Sequence, residues 1–187
     1  MKKGLLILAI ILVIVIAFGS SIAGSYNNLV KLDEEASAKW AQINNQLQRR
    51  ADLIPNLVNT VKGYASHEEE VLVGITEARS RLETAKTPGE YAEANAQLTT
   101  ALERLNVVVE AYPELKANEN FIRLQDELAG TENRIAVARM DYNEAAKIYN
   151  NKVRSFPTNI IAGIFGFEQK EYFEVSEQAK DVPQVNF

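Results

Sequence analysis

The stretch RRADLIPNLVNTVKGY, Arg49 to Tyr64, decides how this chain folds. Its apolar residues recur at helical spacing, yet Pro55 stands inside the run. A proline in a helix interior lacks the N–H that would bond the carbonyl four residues back, here that of Ala51, and crowds it. The chain therefore either reverses at Pro55 or continues through it with a bend. The apolar stripe runs from Leu47 through Ile54 to Val61 without changing phase, which predicts one continuous helix kinked at Pro55. The reversal then belongs at Gly63 to Ser66.

Upstream the same stripe extends through Leu29, Ala36, Trp40 and Ile43, with polar residues filling the intervening positions. Downstream, SHEE (Ser66–Glu69) and TPGE (Thr87–Glu90) have the form of capping boxes, with Ser66 and Thr87 at the N-cap. Pro113 interrupts the next run, and Asn118 is a candidate cap beyond it. The predicted helices span 26–62, 67–86, 88–111 and 118–154; a rival map joins the first two into one long kinked helix. No window alternates like a strand, and Asn-Gly and Asp-Gly hairpin signals are absent. The fold class is all-α. Short connections favour an antiparallel four-helix bundle with long first and last helices. Equal rise per residue then sets Trp40 level with Met140, and Arg50 level with Gly130 to Asn133.

Before the bundle, Gly4 to Gly24 carries no charge. At about 1.5 Å per residue it spans roughly 30 Å, the depth of a bilayer core. Lys2 and Lys3 favour a cytoplasmic N-terminus. The expected order is a cytoplasmic 1–3, a signal-anchor transmembrane helix at 4–24, an extracytoplasmic bundle at 25–175 and a tail at 176–187. A signal peptide cleaved after Ala23 is the rival reading. Gly19 with Ala23, and Ser20 with Gly24, form small-xxx-small pairs that let transmembrane helices approach closely. The apolar FPTNIIAGIFGF (Phe156–Phe167) returns near the membrane in this geometry. Its Ile160, Ile161, Ile164 and Phe165 are expected to close the base of the bundle, with interfacial lipid contact as a further possibility.

Composition limits the chemistry. The chain has 187 residues, a net charge of -5, one histidine and no cysteine. Disulfides, thiolate metal sites and thiol catalysis are excluded, and the acidic balance gives no reason to expect nucleic acid. His67 opens HEEE, which lacks the second histidine of a zinc-protease helix; it reads as a solvated first turn. No phosphate-binding loop, catalytic triad, cofactor or small-molecule substrate is evident. Arg50 lies near the apolar stripe, so it requires a partner. Glu127 and Glu132 are at its level, and Arg50 with Glu132 is read as a bundle clamp beside Pro55. Arg49 is expected to reach solvent. Trp40 and Tyr142 are read as core, and Asn133, Asn143 and Asn150 as hydrogen-bonding bridges between helices.

Together YNNLV (Tyr26–Val30), Trp40, RRADLIPNLVNTVKGYASHE (Arg49–Glu68), Ala78-Arg79, ENRIAVAR (Glu132–Arg139), Tyr142-Asn143, Phe156-Pro157 and FGF (Phe165–Phe167) resemble the LemA family of bacterial membrane proteins. The resemblance covers nearly the whole chain. It implies a single-pass, N-terminally anchored protein of the bacterial inner membrane with an extracytoplasmic helical bundle, and it carries over no catalytic residue. The expected function is protein–protein interaction, as a self-assembling scaffold or an adaptor to another envelope protein. An envelope sensor working with a separate signalling partner is the alternative, and a metal-dependent hydrolase a more distant one.

Overall fold

The computed structural model describes residues 2–173. The expected tail at 176–187, Met1 and the side chains of Lys2 and Lys3 lie outside the described residues. Six helices follow in order: α1 (Lys2–Lys62), α2 (Glu69–Thr84), α3 (Pro88–Val109), α4 (Pro113–Lys116), α5 (Glu119–Arg154) and α6 (Thr158–Phe165). No strand occurs among the described residues, so the all-α class holds. The apolar N-terminal segment and the first amphipathic segment form one helix, and that helix continues through Pro55.

Ser66 does not cap α2. The chain spends residues 63–68 in turns, with the Tyr64 and Ala65 N–H groups both donating to the Val61 carbonyl. The N-cap is Glu68, without a side-chain cap bond; its carboxylate accepts from the Tyr112 hydroxyl at 2.8 Å. The box at Thr87 does form: Thr87 Oγ1 accepts from Glu90 N at 3.2 Å, and Glu90 Oε2 accepts from Thr87 N at 3.3 Å. Pro88 supplies the first helical residue, where its missing N–H costs nothing. Asn118 Oδ1 accepts from Phe121 N at 3.0 Å at the start of α5. Pro113 opens the single turn of α4.

The chain divides into two compact units, to both of which α1 and α5 contribute. The first comprises Met1–Ala38 with Glu144–Lys170, the second Lys39–Asn143 with Glu171–Phe187. The first unit buries Leu29, Tyr149, Val153, Ile161 and Ala162, with Ile22, Tyr26, Leu32 and Phe167 packed against them. Gly166 ends α6 at φ 75°, a left-handed turn that glycine adopts without a Cβ penalty. The Phe167 N–H then bonds back to the Ala162 carbonyl at 2.9 Å. In the second unit α2 and α3 pack on each other, and Ile43, Ile54, Leu57, Ile75, Leu98, Leu105 and Ile135 are buried. Between α1 and α5, Lys39 pairs with Asp141 at 3.0 Å, Gln46 with Arg134 at 3.0 Å and Arg49 with Glu127 at 3.0 Å. Numbers on one helix fall as those on the other rise.

Candidate functional site

Pro55 removes a hydrogen bond from the buried backbone around Ala51, and α2 supplies the replacement. Arg79 Nε donates to the Ala51 carbonyl at 3.0 Å, while Arg79 Nη2 holds Glu83 at 2.7 Å. A buried carbonyl without a donor costs about 1–3 kcal/mol, so Arg79 makes the proline tolerable at this position. In the sequence Ala78-Arg79 is a motif without a legible role, because the donor sits twenty-eight residues from its acceptor, beyond any local pattern.

One turn before Pro55, Arg50 is 3 % exposed. Its Nη1 donates to Glu132 Oε2 on α5 and to Asn95 Oδ1 on α3. Its Nη2 donates to Thr99 Oγ1 at 3.0 Å. Asn95 Nδ2 turns to both Glu132 carboxylate oxygens, at 3.4 and 3.3 Å. Three helices thus converge on one guanidinium. Burial lowers the Arg50 pKa; Glu132 opposes that shift and Arg139 adds to it. An unpaired charge here would be costly. Asn95 and Thr99 were not identified from sequence, although Asn95 stands between Ala92 and Leu98 on an otherwise apolar stripe. Arg49 points to solvent toward Glu127, and Asp52 accepts from Gln48 at 2.9 Å.

Trp40 and Tyr142 belong to an aromatic group of the second unit. Ring centroids lie 5.5 Å apart for Trp40 and Tyr142, 5.4 Å for Trp40 and Tyr91, and 5.3 Å for Trp40 and Phe173, which stack. The Arg139 guanidinium lies 4.9 Å from the Phe173 centroid, a cation–π contact. Asn143 does not bridge helices as expected. Its side-chain amide bonds both backbone groups of Phe173, each at 2.9 Å. Asn150 does the same within the first unit, bonding both backbone groups of Lys170 at 2.8 Å. An amide matches the donor–acceptor pair of one extended residue, so each asparagine fixes one point of the segment after α6. Lys170 is also paired with Asp33 at 2.9 Å and lies over the Tyr149 ring at 5.3 Å. Asn133 is exposed.

The remaining expected site residues lie in the first unit. Gly19, Ser20, Ala23 and Gly24 are not buried, and nothing lies within 4 Å of where a Cβ would stand at Gly19 or Gly24. The Ser20 hydroxyl donates to the Ile16 carbonyl at 2.8 Å. Ile161 is buried, whereas Ile160, Ile164 and Phe165 are exposed. His67 is exposed, and among the described residues no three acidic, histidine or cysteine side chains form a metal-holding group. An open groove of about 450 Å³ is lined by Val58, Lys62, Ser66, Glu69, Leu72 and Val73 among others. The two buried polar atoms without partners among the described residues, Asn44 Oδ1 and Arg50 Nε, do not line it.

The model of the LemA family matches residues 39–187. The chain is 29 % identical over 197 residues to magnetosome protein MamQ 2 of Paramagnetospirillum magneticum, covering 91 % of this chain and 72 % of that protein. It is 28 % identical over 206 residues to magnetosome protein MamQ of Magnetospirillum gryphiswaldense, covering 96 % and 75 %. It is 29 % identical over 157 residues to protein LemA of Metamycoplasma hominis, covering 82 % and 71 %.

Proposed function

The chain belongs to the LemA family, and from that premise we propose a membrane-anchored, non-catalytic helical protein that works by protein–protein interaction. The apolar surface of α1 carries this reading. From Leu8 to Ser21 every residue is exposed, and the large ones among them are Leu, Ile, Val and Phe. A helix that is apolar all round and has no protein packed on it belongs in lipid. The rest of α1 is the first helix of the bundle, so anchor and bundle share one backbone. The opposed numbering of the α1–α5 pairs supports the antiparallel arrangement, and the stretch around Pro55 is the place for a bend. Lys2 and Lys3 favour a cytoplasmic N-terminus in the inner membrane, which puts the bundle outside.

The names of the relatives denote a magnetosome protein and a LemA protein rather than a reaction. That supports a scaffold or adaptor of the envelope. Self-assembly is the sharper version, since Gly19, Ser20, Ala23 and Gly24 leave room for a second α1. Crosslinking in intact membranes, read by mass spectrometry, tests it. Links between two copies near residues 19–24 are expected; links only to a different protein would replace self-assembly by an adaptor role. Monomers alone across reagents of several lengths would contradict both.

A further inference from the structure

FPTNIIAGIFGF, Phe156 to Phe167, contains no charged residue. α6 buries Thr158, Ile161 and Ala162, yet Phe156 is 80 %, Ile160 55 % and Ile164 72 % exposed. Ile160 and Ile164 stand four apart and share one face. Single exposed apolar residues are ordinary, but an uncharged exposed apolar face marks a contact site.

The position of α6 within the first unit identifies what covers that face. The ring centroids of Phe165 and Phe167 lie 4.8 Å and 5.7 Å from that of Tyr26. Tyr26 is two residues beyond the uncharged span Gly4–Gly24, a rise of about 3 Å. The interfacial layer on each side of a bilayer core is roughly 5–8 Å deep. An α1 that crosses the membrane therefore holds α6 within that layer, where amphipathic aromatic residues such as Tyr26 also concentrate. A second copy of the chain is the weaker occupant, because one face of a two-turn helix falls short of the roughly 800 Å² per partner of a standard interface.

We propose that α6 is a second membrane contact: Phe156, Ile160 and Ile164 enter the interfacial layer of the bilayer that α1 crosses. The inference rests on the anchoring proposed above. Lys152 and Arg154, in the last turn of α5, precede this face and suit anionic headgroups. The first unit would then be attached at a patch as well as at a span.

The absence of cysteine makes a labelling test clean. Ile160→Cys, Ile164→Cys, Val13→Cys and Val137→Cys variants of the full chain would be spin-labelled. Each would be reconstituted in vesicles of equal parts phosphatidylethanolamine and phosphatidylglycerol, with helicity checked by circular dichroism. Labels at 160 and 164 should be more accessible to oxygen than to a water-soluble nickel chelate, as at 13, and Val137 on α5 should show the reverse. Labels at 160 and 164 that behave like 137, while 13 remains in lipid, would overturn the inference and leave the anchor standing. Labels at 160 and 164 closed to both reagents would mean that protein covers the face, and would also overturn it. A water-exposed label at 13 would remove the anchor and the inference together.

Discussion

The two units solve opposite problems. The second unit buries a charged group and answers most of its polar atoms from within: Arg79 serves the carbonyl freed by Pro55, and Glu132, Asn95 and Thr99 serve Arg50, with Asn44 Oδ1 and Arg50 Nε left unpartnered among the described residues. The first unit buries Asn150 and Thr158 but no charged side chain among the described residues, and it leaves apolar groups uncovered, along α1 and on α6. Internal satisfaction of buried polar groups is what a water-facing module requires. An uncovered apolar helix is what a bilayer completes. The buried charge thus lies in one unit, and the uncovered apolar helix surface in the other.

The sharpest way to break this contrast is to delete residues 4–24. The remaining chain should move from the membrane to the soluble fraction in fractionated cells, because the two-turn α6 is too small to hold it alone; continued sedimentation with membranes would assign the main attachment elsewhere. Next in size is Glu132→Ala, which leaves Arg50 buried with only neutral partners. We expect a loss of about 3 kcal/mol in denaturant unfolding. This is the low end for breaking a buried pair, because Glu132 keeps part of its water contact. A loss below about 1 kcal/mol, the scale of a surface pair, would show that the site is not a buried charge cluster.

Arg79→Met tests the answer to Pro55. It should cost about 1–2 kcal/mol in the natural chain. The cost should shrink in a Pro55→Ala background, where the restored backbone N–H can bond the Ala51 carbonyl again. Additive effects in that double-mutant cycle would disconnect the two residues. Pro55→Ala alone should also straighten α1, and unchanged helix geometry would remove the predicted bend.

The smallest effect distinguishes the units by pH. Burial first, and then the neighbouring Asp33 carboxylate, push the Tyr149 phenol up to about 12. The unfolded phenol titrates near 10, so its contribution is complete below about pH 10 and is lost as pH rises toward 12. Tyr149→Phe should flatten the alkaline fall in stability of the first unit, followed by hydrogen exchange in Tyr149's neighbours. An unchanged fall would assign the alkaline loss to other groups.

How far the sequence revealed these features depended on distance along the chain. Periodicity carried the helices and the continuity across Pro55, because stripe phase is a local property. The box at Thr87 was legible for the same reason, and the same pattern failed at Ser66 because the chain turns through residues 63–68 and α2 starts only at Glu69. The level of Arg50 followed from equal helical rise, which led to Glu132. Asn95, Thr99 and Arg79 were missed because their partners lie dozens of residues away. Asn143 and Asn150 were recognised as hydrogen-bonding residues, but their partner is an extended segment with no periodic signal.

Protease shaving of intact spheroplasts, followed by mass spectrometry of the washed membranes, tests the central contrast most directly. The account predicts that the bundle is digested from outside while a peptide spanning residues 4–24 stays intact in the membrane. A membrane fraction without that peptide, or a mature chain beginning at Gly24, would contradict it.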